Sequence, residues 1–234
     1  MVRQTGRVYE SLHVEHSSTV ERVTEELRRA LFEGELAPAT PLREVALADQ
    51  IGVSRSTIRE ALSVLVTEGL ATRVPNRGVA VTALSHDDVR DVLRARAALE
   101  TAGARRWKDA SRAQRDAVHR ALDDFARTAR SEASPAEVTA AHLDVHRALV
   151  GLTGSERLLA TADALNAEIR LALAHVDRLR RNAREQVAAH RDLVDLLEGG
   201  HTARAVRELE RHLSDAEQSL NDAVQGSRAL QRAR

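Results

Sequence analysis

The stretch Gly52 to Leu70, GVSRSTIREALSVLVTEGL, constrains the fold more than any other, because it reads as one helix with two faces of different chemistry. Ile58, Ala61, Leu62, Leu65 and Val66 recur at i, i+3, i+4, i+7 and i+8, the spacing of a stripe turned toward a core. The leading end offers Ser54 as an N-cap and crowds Arg55, Ser56, Thr57 and Arg59 into the first turns, where their donors suit phosphates and base edges. Ahead of it, Glu44 to Gln50 gives a short helix and Ile51-Gly52-Val53 a tight turn, which together make a helix-turn-helix signature. Behind it, Ala71 to Val74 and Val79 to Thr82 are β-prone runs around Pro75-Asn76-Arg77-Gly78, a pattern that predicts a hairpin, or wing.

Charged side chains on exposed turns are ordinarily a solvated face. Here Arg55 and Arg59 stand one turn apart at a helix start, and Asn76, Arg77 and Gly78 form a wing tip where backbone can approach a groove closely. The run LREVALADQIGVSRSTIREALSVLVTEGLATRVPNRGVAV closely resembles the N-terminal winged helix of GntR-superfamily bacterial transcription regulators. That resemblance implies binding to double-stranded DNA, with Arg55, Ser56, Arg59 and Gly78 at positions of family DNA contacts and Arg43 on the DNA backbone. One departure is Ala39 in APAT, where the family usually has a turn glycine.

Nothing global announces a nucleic-acid partner. The 234 residues carry 35 Lys and Arg against 35 Asp and Glu, and up to Ser85 there are ten Arg against eleven acidic residues, so any DNA affinity must be concentrated locally. No cysteine is present, which excludes disulfides and thiolate metal sites. Apolar runs are short and interrupted by charge, so the expectation is a cytoplasmic protein with no membrane partner. The length suits two domains. The expected boundaries are a mobile N-terminal tail over 1–17, a winged helix over 18–84, a helical domain over 85–225 and a C-terminal tail over 226–234. The fold class that follows is mainly α: an N-terminal winged helix-turn-helix with a small β-hairpin wing, plus a C-terminal all-α helical bundle.

Helix starts are readable throughout. Ser18 or Thr19 caps a first helix burying Val20, Val23, Leu27 and Leu31, and Ser85 with Asp88 resembles a capping box. Ser134-Pro135-Ala136-Glu137 places Ser at the N-cap, Pro at N1 and Glu at N3. On the helix that Ser85 opens, Arg96 interrupts the apolar face. Two readings stand for it: an i, i+4 pair with Glu100 on a snorkelling stem, or an anion clamp in a pocket.

His142 and His146 fall one turn apart in the stripe Val138, Ala141, Val145 and Leu149. His190 shares a face with Val187, Val194 and Leu197 on a helix over about 181–198, and His212 sits between Leu209 and Ala216 on the last helix, 202 to about 224. One such histidine is most often a core residue with a satisfied hydrogen bond. Four on the buried stripes of three helices need partners, and a divalent cation satisfies all of them through neutral imidazole nitrogens.

This C-terminal part resembles the all-helical FCD domain of the FadR branch of GntR regulators. There an Asp and a His one helical turn apart, with two later His, commonly hold a divalent metal in a pocket for a small carboxylate effector. The matching positions here are His142, His146, His190 and His212, so a His replaces the Asp, and Val145 replaces the usual phenylalanine before the second ligand. Four neutral ligands favour Zn or Ni over harder ions. Asp144 is a nearby competitor, although its i+2 offset from His142 aims it elsewhere.

The leading expectation is a homodimeric repressor that binds a pseudo-palindromic operator and responds to a carboxylate met by Arg96. The alternatives are a helical metalloenzyme that uses the histidine site to activate water, and a metal-free dimerisation bundle. Against the enzyme, four protein ligands fill a tetrahedral site and no HExxH motif is present, while a five- or six-coordinate metal keeps that reading open.

Overall fold

A computed structural model describes residues 18–174 and 178–232, with side chains for all of these except 178–182 and 222–232. The expected tail over 1–17 lies outside the described residues.

The N-terminal unit starts from local chemistry. Ser18 and Glu21 form a capping box, with the Glu21 amide donating to Ser18 Oγ at 3.2 Å and the Ser18 amide to Glu21 Oε2 at 2.7 Å. They open α1, Thr19–Phe32, which buries Val23, Leu27, Leu31 and Phe32. Helix α2, Glu44–Ile51, stops at Gly52, whose φ of 76° lies in the left-handed region that a side chain disfavours. Helix α3, Arg55–Thr67, begins where Ser54 Oγ accepts the Thr57 amide at 3.1 Å, and it buries Ile58, Ala61, Leu62 and Leu65.

Strands β2, Ala71–Val74, and β3, Gly78–Val81, make the wing, and β3 starts one residue earlier than its composition suggests. A third strand goes beyond the expected hairpin: β1, Pro41–Leu42, pairs antiparallel with β3 and gives the order β1-β3-β2. The turn into β1 places Ala39 at φ 63°, held by its amide bond to the Val81 carbonyl at 3.0 Å. The residue that departs from the family's glycine therefore still adopts a glycine-like conformation.

Among the described residues six helices follow: α4, His86–Arg105; α5, Arg112–Thr128; α6, Pro135–Gly151; α7, Glu156–Leu173; α8, Arg178–Glu198; and α9, Thr202–Arg232. Capping boxes at Ser85/Asp88, Ser111/Gln114 and Ser134/Glu137 open the first three. Helix α7 ends at Leu173. The expected C-terminal tail over 226–234 is a correction: α9 continues through this segment as far as Arg232.

Helix α6 is the central post of the bundle, because α4 approaches it without a side chain at Gly103. A Cβ there would lie 1.9 Å from the Leu149 carbonyl oxygen. Helix α7 belongs to both units. Ile169 is buried in the bundle core, while Leu171, two residues on and 1% exposed, is buried in the winged-helix core. Between them, the Arg170 guanidinium stacks over the Phe32 ring at 3.8 Å. Ser134 Oγ adds a hydrogen bond to Glu33 Oε1 at 3.1 Å across the same junction.

Candidate metal centre and nucleic-acid interface

The period of α6 puts His142 and His146 on one inward face, and α8 and α9 bring His190 and His212 against them. His146 Nε2 lies 3.2 Å from His142 Nε2 and 3.1 Å from His190 Nε2. One ligand atom from each of the four residues falls within 4.8 Å of the others. Ligands at zinc–imidazole bond lengths on a tetrahedron stand about 3.3 Å apart, so the donor spacing suits one small cation.

Two imidazoles are oriented by their outer nitrogens. His146 Nδ1 donates to Glu100 Oε2 at 2.7 Å, and His190 Nδ1 donates to the Gln186 carbonyl at 2.7 Å. Both bonds turn an Nε2 lone pair inward, the arrangement that raises a ligand's basicity and fixes its ring. Burial holds His142 and His146 well below the usual histidine range, and neighbouring imidazoles and Arg96 add to it. Burial also lowers His190, against the Gln186 carbonyl, and pushes His212 down to about 3. At neutral pH all four are unprotonated donors. Asp144 is exposed and takes no part in the cluster.

Glu100 is the residue that the sequence showed only as a partner for Arg96. It is 1% exposed, and burial raises its pKa against the pull of the Arg96 charge. Arg96 Nε donates to Glu100 Oε1 at 2.9 Å, so the i, i+4 pair exists, but it is buried and does not snorkel. Arg96 Nη2 is buried with no hydrogen-bond partner among the described residues. Arg96 and all four histidines line one pocket of about 880 Å³, walled by aliphatic side chains that include Leu143, Ile169, Leu173 and Leu209. Arg96 is thus paired with Glu100 on one edge, with one amine left unpartnered among the described residues.

The other predicted residues lie at the start of α2, on the first turns of α3 and at the wing tip. Arg55 and Arg59 are exposed on the first turns of α3, and Arg43 is exposed at the N-cap of α2. Ser56 and Thr57 hydroxyls are tied to the cap, at 2.7 and 2.8 Å from Ser54 Oγ. Asn76, with φ 59°, and Arg77 and Gly78 are exposed at the wing tip, and a Cβ on Gly78 would meet open space. Glu44 was not anticipated here. It holds Arg59 through two bonds, Nε to Oε1 at 3.0 Å and Nη2 to Oε2 at 2.7 Å, and the arginines lower its pKa. No helix of the described residues is long and apolar enough to cross a membrane.

Comparison with known proteins agrees with both halves. Residues 19–81 match the family described as bacterial regulatory proteins, gntR family, and residues 91–215 match the FCD domain. The chain is 35% identical over 137 residues to an Nta operon transcriptional regulator from Aminobacter aminovorans, a match spanning 58% of this chain and 64% of that one. It is 30% identical over 196 residues, 80% of this chain and 78% of the other, to an HTH-type transcriptional regulator in an unstable DNA locus of Streptomyces ambofaciens. A solved structure of a GntR transcriptional regulator from Rhodococcus sp. RHA1 superposes with a TM-score of 0.75 at 28% identity, covering 87% of this chain and 98% of that one. Other relatives are named as repressors of operons for D-xylose utilization and gluconate. These relatives are regulators and not enzymes, so the metalloenzyme reading has no support among them. With a gntR helix-turn-helix, an FCD domain and regulators of the same fold as relatives, this chain belongs to the GntR family of bacterial transcriptional regulators.

Proposed function

We propose that the chain is a metabolite-responsive repressor that binds a pseudo-palindromic operator as a homodimer and releases it when a small carboxylate enters the FCD pocket. In this reading His142, His146, His190 and His212 hold one Zn or Ni ion, and Arg96 meets the acid. The observation that carries the proposal is the buried cluster of imidazoles, with His146 Nε2 3.1 and 3.2 Å from those of His190 and His142, on a pocket also lined by Arg96, whose Nη2 has no hydrogen-bond partner among the described residues. A bound metal would supply a Lewis-acidic position for a carboxylate oxygen, with coordination beyond four. The protein's part is to keep the imidazoles neutral, orient His146 and His190 through Glu100 and Gln186, and place the Arg96 charge beside the pocket.

On the DNA side, Arg43, Arg55, Ser56, Thr57, Arg59, Asn76, Arg77 and Gly78 contact the operator, the exposed arginines supplying phosphate and base-edge donors. Repression is the sign that matches the relatives named as repressors. Helix α7 is the connection between the two sites. Ile169 and Leu173 line the pocket while Leu171 is seated in the winged-helix core, so a ligand that shifts α7 is felt by both.

The test is an operator selected from genomic DNA, followed by fluorescence anisotropy of zinc-loaded protein against a panel of carboxylic acids. The reading requires at least one acid that weakens DNA binding in wild type and not in Arg96→Ala. A panel without effect, or an effect that persists unchanged in Arg96→Ala with folding intact, would overturn it.

A further inference from the structure

We propose that the effector is a dianion, an acid carrying two negative groups, and that the histidine at position 142 sets this preference; the inference rests on the metal-and-carboxylate reading above.

The argument is one of buried charge. The four candidate ligands are all imidazoles, which bind a metal as neutral rings, so none of them offsets a bound divalent cation. Glu100 is the buried carboxylate beside them, 2% exposed at its side chain, and both its oxygens are already engaged, Oε1 by Arg96 and Oε2 by His146. Its charge is matched by that of Arg96. The described buried groups therefore sum to zero without a metal and to two positive charges with one. A buried charge left unmatched is costly, and a monoanion would leave one in place. A dianion leaves none.

The pocket also has two stations for two anionic groups. One is the cluster. The other is Arg96, which lines the same pocket, is linked to His146 through the Glu100 carboxylate, and has its Nη2 buried with no hydrogen-bond partner among the described residues. The volume of about 880 Å³ admits a ligand that reaches both. Carboxylates farther out along the pocket do not neutralise the inner end at physiological salt: Glu185, Asp192, Asp195 and Asp215 are exposed to solvent, and the half-buried Glu208 is already paired with Arg211.

An aspartate at position 142 would lower the inner charge by one, which makes the inference testable by charge exchange. Zinc-loaded wild type and His142→Asp would be titrated calorimetrically at fixed ionic strength with length-matched pairs: malonate and propionate, succinate and butyrate, glutarate and valerate. Zinc per chain and thermal unfolding would be recorded on the same samples. The expected result is that within the best-binding pair the diacid binds wild type at least tenfold more tightly than the monoacid, and that this ratio falls at least tenfold in His142→Asp. Arg96→Gln, which removes one positive charge without touching a ligand, should lower the ratio in the same direction and serves if His142→Asp does not fold. Equal affinities in wild type, or a ratio unchanged in a folded, zinc-loaded variant, would overturn the inference while leaving the metal site standing. Zinc-free wild type, or no binding by any acid, would sink the underlying reading and this inference with it.

Discussion

Gly103→Ala tests the joint on which the site depends. A methyl carbon at that position would stand 1.9 Å from the Leu149 carbonyl oxygen, 2.8 Å from its carbon and 3.2 Å from Val150 Cα. Carbon–oxygen contacts are ordinarily no closer than about 3.3 Å, so α4 must move from α6 by about 1.4 Å. Both neighbours are helix backbone, which has no rotamer with which to yield. Overpacking of this kind costs about 1–3 kcal/mol, and the gain in helix propensity from Gly to Ala returns about 1 kcal/mol. The same displacement stretches the 2.7 Å bond from His146 to Glu100 past hydrogen-bonding range and leaves a buried acceptor half-satisfied, at about 1–3 kcal/mol more. The net expectation is a loss of about 1–5 kcal/mol in urea unfolding, followed by the fluorescence of Trp107, which is 4% exposed in the bundle core. Zinc affinity should fall about 10- to 100-fold with it, since the orienting partner of a ligand is lost. A variant that unfolds at or above the wild-type urea concentration, gaining only the helix-propensity term, would refute the close α4–α6 contact.

Other outcomes follow from the same structure. Ala39→Gly should stabilise the chain by about 0.5–1 kcal/mol, because relief of a left-handed alanine at φ 63° exceeds the added chain entropy; thermal unfolding showing a loss would contradict it. Leu171→Ala should cost about 2–4 kcal/mol and reduce the response of DNA binding to effector, read as the shift in anisotropy midpoint between free and effector-saturated protein. In metal-free protein, the folded pKa values of the four imidazoles lie below the unfolded value, so the unfolded chain binds more protons once pH drops below about 6.5. Stability should therefore be full above that pH. Below it, up to about 1.4 kcal/mol per pH unit is lost for each imidazole, continuing toward the value of about 3 at which His212 protonates in the folded state. Unfolding in EDTA from pH 5 to 8 checks this, and a profile that is flat there, or that matches a His142→Asn, His212→Asn variant, would contradict it.

What the sequence shows well is chemistry that closes within a few residues. Ser18, Ser54, Ser85 and Ser134 cap helices because a serine hydroxyl meets an amide three residues on, a bond set by local backbone. The histidine cluster was legible for a related reason: four rings on apolar stripes must face the interior, and the bundle has only one interior. What it conceals is pairing across the chain. β1 is two residues long and exists only because β3 offers an edge. Glu100 looked like half of a helix-surface ion pair, since its bond to His146 spans 46 residues and depends on how α4 docks against α6. Ile169 and Leu171, two residues apart, point to opposite sides of α7, and only tertiary packing supplies a core on each side.

The central claim is that the four imidazoles form a metal site, and metal content measures it most directly. Elemental mass spectrometry of purified wild type and of His146→Ala, His190→Ala should give about one Zn or Ni per wild-type chain and none in the double variant. Wild type without metal after incubation with Zn or Ni, or a variant that retains the same stoichiometry, would contradict the claim.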